Sequence, residues 1–224
     1  MKNIFKFCAA AALVISTANS AFAADTADLK VQGTLIMGSC TPSLSSGGVV
    51  DYGSLPIASL SDTAVNQLGD KDITLTLSCT SPTKVAWMTM DDKSSSVVDT
   101  APKVGNAVTT ATNEFGLGET ADHVKLGSYG LVANYEQVTV DSAPGHLADS
   151  GDNGATWVAE VGDVYNHPDG SRLITFADTE GNPVEITTAT DVLTVGASIQ
   201  NTTTLAITDD TPLDGQATIS VKYL

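Results

Sequence analysis

Basic residues and cysteines are scarce in this chain, and long apolar runs are missing. Ten Lys and Arg stand against 26 Asp and Glu in 224 residues, a formal charge of −16. A surface of that sign repels phosphate backbones and anionic lipid, so neither nucleic acid nor a membrane surface is an expected partner. The longest apolar run, Phe7 to Ile15, falls short of the ~20 residues that span a bilayer, and no membrane insertion is expected. No window sustains an apolar repeat of 3.6 residues, which excludes a helical bundle.

Catalytic vocabulary is missing too. His123, His146 and His167 stand far apart, with no H-x-H or H-E-x-x-H pair, and no G-x-S-x-G occurs. The neighbouring pairs Asp91-Asp92 and Asp209-Asp210 read as solvated acidic turns, because adjacent side chains on an extended chain point apart. No catalytic residue, cofactor site or metal site is expected, and the chain does not read as an enzyme.

The first residues read as an export signal. Lys2 and Lys6 precede the apolar run, and Ala21-Phe22-Ala23 supplies small residues at the cleavage positions. Cleavage after Ala23 leaves 201 residues, and losing the two lysines takes the formal charge to −18. Cys8 leaves with the signal, and the remaining cysteines are Cys40 and Cys79. In an oxidising compartment two thiols of one domain are expected to pair, stabilising the fold by ~4 kcal/mol; two buried free thiols are the alternative. Neither cysteine has a second ligand at zinc-like spacing.

What the chain does have is alternation with a period of two and many Thr, Val and Ile residues, so it is expected to be nearly all β. Strands are predicted at Leu29 to Met37, Val49 to Tyr52, Ile73 to Cys79, Val85 to Met90, Val124 to Ala133, Gln137 to Val140, Leu193 to Gln200 and Ala217 to Tyr223. In "DITLTLSC", Ile73, Leu75, Leu77 and Cys79 share one face, and Thr74, Thr76 and Ser78 the other. One buried and one wet face is the pattern of an antiparallel sandwich. In "ATISVKYL", Ala217, Ile219, Val221 and Tyr223 likewise face inward.

The stretch from about 94 to 190 is richer in Gly, Asp, Asn and Thr and reads as long loops with extra short strands. Within it, "DSAPGHLADSGDNGATW" is the most loop-like part and is expected to project from the sandwich. Asp149, Asn153, Gly154 and Glu160 fall on positions 1, 5, 6 and 12 of a calcium loop, but Gly151 at position 3 offers no side-chain oxygen, and a plain Asx-rich turn is the better account. Of two tryptophans, Trp87 reads as core; Trp157 is either buried packing or an exposed platform for a sugar.

Four local patterns, taken in order, resemble a chaperone–usher pilin: "VQGTLIMGSC", "VVDYGSL", "ITLTLSC" ending in a second cysteine 39 positions after the first, and the C-terminal alternating strand with penultimate Tyr223. More narrowly, "GSCTPSL", "LSCTSPT", "NEFGLG" and "LDGQATISVKYL" are similar to the GltF-like group of fimbrial-type secreted proteins, related to beta-fimbria major subunits. Gly215 lies closer to the C-terminus than the corresponding pilin glycine, and the centre is longer than in a compact major pilin.

The resemblance implies an incomplete immunoglobulin-like antiparallel β-sandwich that lacks its last strand. It divides the chain into a signal (1–23), an N-terminal donor-strand extension (24–39) and a pilin-like domain (40–224) with an insertion at about 94–190. Leu29, Val31, Gly33 and Leu35 would form the donor strand, and Gly215, Ala217, Ile219, Val221 and Tyr223 the groove edge that a chaperone first occupies. The implied partners are a periplasmic pilus chaperone, an outer-membrane usher and neighbouring fimbrial subunits. The implied route is the periplasm, then the fimbrium on the cell surface, contributing to adhesion. Glycine weakens an ordinary strand, so Gly33 on the inserting face suggests close approach of a partner's backbone; a β-bulge is the alternative. A different reading is a soluble periplasmic or surface protein that keeps this fold and binds a carbohydrate or other ligand through its enlarged centre.

Overall fold

The computed structural model describes residues 29–34, 38–105 and 107–224. Leu29 to Thr34 form neither strand nor helix, and Leu29 and Val31 are each 89% exposed. Ala21 and Ala23 of the expected cleavage site, and Leu35 to Met37 of the expected first strand, lie outside the described residues.

From residue 38 onward the chain is all-β and antiparallel. Its longer strands are β1 (Cys40–Leu44), β2 (Asn66–Thr83), β3 (Val85–Asp91), β4 (Gly127–Val140), β5 (His146–Ser150), β6 (Leu173–Ala177), β7 (Ile186–Ile199) and β8 (Ala217–Tyr223). A single turn of α-helix, Thr202–Leu205, is the only one among the described residues, capped by the Asn201 side chain.

One sheet runs β1-β2-β7-β4 and ends on the two-residue strand Val164–Tyr165. The other runs Val158–Ala159, β5, β6, β3, β8. Cys40 and Cys79 face each other across β1 and β2 and are joined by the expected disulfide.

Alternation builds the core between the sheets. On β2, Ile73, Leu75, Leu77 and Cys79 are buried, while Thr74 and Thr76 are half-buried and Ser78 exposed. They share one hydrophobic cluster with Leu131, Leu193 and Val195 of the same sheet and with Trp87, Ile174 and Phe176 of the other. Trp87 is fully buried, its ring 5.1 Å from that of Phe176. Burying side chains of this size contributes roughly 1.5 to 3 kcal/mol each, which is why the two apolar faces come together.

Two expectations come out differently. Val49 to Tyr52 pairs with no strand; it runs between β1 and β2 with Val49 exposed and Val50 and Tyr52 half-buried. The stretch read as loops and short strands supplies, besides the two strands expected at β4, the unexpected β5, β6 and the start of β7, interior members of both sheets. The reason is burial on both faces: β6 reads Leu-Ile-Thr-Phe-Ala and every residue is buried, so no alternation marks it. β4 joins the predicted strands Val124 to Ala133 and Gln137 to Val140 into one, and its glycines mark close approach of other chain segments: a Cβ at Gly127 would lie 2.0 Å from the Ser198 carbonyl oxygen.

Candidate functional site

The last strand is an edge of its sheet. β8 pairs with β3 over seven residues, from Ala217↔Asp91 to Tyr223↔Val85, and closes the second sheet as its edge. Its inward-facing Ala217, Ile219 and Val221 are only half-buried, whereas the matching residues of β2 are fully buried. An edge strand with open N–H and C=O groups beside uncovered aliphatic side chains is a template for strand addition.

A groove lies alongside it. A cavity of about 330 Å³ is walled by Ala217, Ile219, Gly215 and Leu213 on one side, Leu44, Val49, Val50 and Tyr52 on the other, and floored by Ile73, Leu131, Leu193 and Val195. Among the described residues no charged side chain lines it. It continues into a second cavity of about 600 Å³ through the shared wall residues Val49, Val50, Tyr52 and Leu213. There Leu55, Ile57, Leu60, Leu205 and Ile207 supply apolar lining, with Asp51, Asp209 and Asp210 also on the wall. Val49 to Tyr52 thus has the sequence of a strand because it forms half of an apolar wall.

The predicted groove edge divides. Gly215, Ala217 and Ile219 line the cavity. Val221 packs on the core, and the Tyr223 hydroxyl accepts a hydrogen bond from the Cys40 amide at 2.8 Å, tying β8 to β1 at that end. Gly215 is required by close approach: a Cβ there would sit 2.9 Å from Cε1 of Tyr129 and 3.2 Å from the Gly116 carbonyl oxygen. Tyr52 anchors the opposite wall by donating to the Val195 carbonyl at 2.9 Å. Burial, reinforced by the charge of Asp70, raises its phenol above the ordinary value and keeps it neutral. Burial likewise raises Tyr129.

Other titratable groups are structural. Asp91, expected on a solvated turn, is buried at the end of β3 and accepts from the amides of Gly116 and Lys93, which fixes the approach to Leu117 on the groove wall. Burial raises its pKa against those two bonds. Glu114 is buried and accepts from the Ser128 and Thr109 hydroxyls. The calcium-like spacing at 149–160 resolves into a turn in which Asp152 accepts from the Thr156 amide and hydroxyl and from the Ser150 hydroxyl. Among the described residues no group of three His, Cys, Asp or Glu could hold a metal. His146 stands against Tyr135, and His167 against the Ser171 hydroxyl. Trp157 is half-buried, its ring edge close over Gly154.

The features that sequence reading missed are Leu117, Tyr129 and Leu213 on the groove wall and a buried acid, Asp191. Leu213 carries no periodic signal, since it precedes β8 in an irregular segment. Asp191 sits in plain alternation with Ala189 and Leu193 and could have been found as an acid on an apolar face.

The fold and its groove define a class: an all-β chain of two antiparallel sheets with an open apolar edge at its terminal strand. A family model described as "Protein of unknown function (DUF1120)" matches residues 29–130. The uncharacterized protein YhcF of Escherichia coli (strain K12) is 32% identical over 226 residues, covering 92% of this chain and 94% of its own. Protein GltF of the same organism is 30% identical over 259 residues, covering 100% of this chain and 98% of its own. The chain belongs to one family with YhcF and GltF.

Proposed function

We propose that this protein is an exported structural subunit of a chaperone–usher fimbria, with an immunoglobulin-like sandwich one strand short, polymerising by donor-strand exchange and contributing to surface adhesion. The observation that carries the reading is the groove lined by Val49, Val50, Tyr52, Ala217 and Ile219, with no charged residue among its described lining, beside the edge strand β8. The extension at the other terminus has the complementary character: Leu29 and Val31 alternate with polar Lys30 and Gln32 and stand exposed.

In this reading a periplasmic chaperone first fills the groove, and the extension of the next subunit replaces it. Backbone hydrogen bonds satisfy both open edges, and burying Leu29, Val31 and Leu35 contributes on the order of 5 to 8 kcal/mol. Gly33 passes where the partner's backbone is too near for a side chain.

Co-expression with a cognate chaperone, followed by electrophoresis without boiling, tests the proposal. A ladder that collapses on heating is expected for the natural chain. Gly33→Leu is expected to abolish the ladder while chaperone binding persists, and deletion of residues 29–35 should leave a subunit that stops growth. Normal fibres from Gly33→Leu would refute the donor-strand role.

A further inference from the structure

A second cluster lies at the ends of β5 and β6 in the other sheet. Arg172, just before β6, donates from Nε to Oδ2 of Asp149 at 2.5 Å and from Nη1 to the Tyr165 carbonyl at 3.3 Å; its Nη2 stands 4.0 Å from Oε1 of Glu160. Asp149 belongs to β5 and is 7% exposed. Glu160 follows the edge strand Val158–Ala159, and its amide donates to the Leu147 carbonyl. Two carboxyl groups from the two ends of one segment therefore meet on one guanidinium.

Between those ends the chain folds back over its own sheet. Asp152 closes the tip through the Thr156 and Ser150 bonds described above. Lys222 of β8 clips the tip by donating to the Asn153 carbonyl at 2.7 Å and to its side-chain oxygen at 2.5 Å. A Cβ at Gly154 would lie 3.7 Å from Cδ1 of Leu173, so the tip covers a leucine that is 1% exposed.

We propose that residues 150–160 form a proton-gated flap on this sheet, latched at its base by Asp149, Glu160 and Arg172 and released when Glu160 gives its proton to solvent. With that proton in place, the two carboxyls share it and Arg172 neutralises the remaining charge. Without it, two carboxylates in a partly dry site face one guanidinium, and separating them relieves the repulsion. Burial first, then the hydrogen bond and charge of Asp149, raise Glu160 to about 7 against the pull of Arg172. The other groups here do not supply a second cation. Burial, and next Arg172, hold the His167 pKa down, while Asp169 adds negative charge and Lys222 engages the tip.

The test is hydrogen exchange by mass spectrometry on the full chain from pH 5.5 to 8.5, with rates corrected for intrinsic base catalysis. A peptide spanning 150–160 is compared with one spanning the 178–182 turn. A shift of Glu160 from 4.5 to about 7 caps the change in opening at about 30-fold across this range, and partial exposure reduces the expectation to roughly tenfold. The expected result is loss of protection in 150–160 with a midpoint near 7, no change in 178–182, and no pH response at 150–160 in Glu160→Gln. Constant protection in the natural chain, or an equal response in Glu160→Gln, overturns the latch. Should Glu160→Gln fail to fold, the natural chain decides alone: a midpoint near 7 supports the latch, and its absence overturns it.

Discussion

Asp191 should make this protein more stable in acid than at neutral pH. It lies on β7 facing the core, opposite Leu75 on β2 and Val138 on β4, where the ladder breaks and β4 bulges. It is 0% exposed, and neither carboxyl oxygen has a hydrogen-bond partner. Burial raises its pKa from 3.8 to about 8; the backbone amides of Asn134 and Val192 oppose the shift without closing bonds to it. A group whose pKa is higher folded than unfolded favours the folded state most below its unfolded value and loses that advantage as pH rises toward the folded value. Between pH 5 and 8.5 this one residue should cost about 4 kcal/mol of folding stability. Urea unfolding of the natural chain and of Asp191→Asn at pH 5, 7 and 8.5 reads the effect directly. The difference between the two curves is the relevant quantity, because Glu160, Asp91 and Glu114 are also raised and tilt both in the same direction. Asp191→Asn should gain on the natural chain steadily with pH and be more stable at pH 8.5. A constant difference across pH, or an asparagine variant less stable throughout, would refute the reasoning and place Asp191 in a compensated site.

Other expectations follow from single contacts. Replacing both Cys40 and Cys79 by serine should lower stability by about 4 kcal/mol, measured by denaturant midpoint at constant m-value. Tyr223→Phe removes the hydroxyl that bonds the Cys40 amide and should cost about 1 kcal/mol while leaving β3–β8 pairing intact by amide exchange. Gly127→Ala drives a methyl into the Ser198 carbonyl and should cost about 3 kcal/mol, seen as a fall in thermal midpoint; a neutral result would mean that β4 and β7 can part locally.

Sequence reading did best where one face is wet. β2 and β8 alternate visibly because their outer residues meet water, and β8 has the predicted bounds, Ala217 to Tyr223. It did worst in β5 and β6, whose outer faces are themselves covered, so polar residues there, such as Thr175, are buried and the period of two carries no polarity contrast. The groove was half legible. Its β8 wall follows from the alternation of Ala217 to Tyr223, and Val49 to Tyr52 reads as strand-like, though nothing in the sequence says that it lacks a partner. The latch was out of reach, since Arg172 stands 12 and 23 positions from its two carboxyls, and only folding back over the sheet brings them together.

Cross-linking two singly labelled copies tests the central claim most directly. One copy carries Val31→Cys, the other Ile219→Cys, and each keeps the Cys40–Cys79 disulfide. Mixed during assembly and mildly oxidised, they should form a covalent heterodimer, lost when the first copy also carries Gly33→Leu. Folded copies that never cross-link, at Val31 or at Leu35→Cys in its place, would contradict a groove completed by a sibling's leading segment.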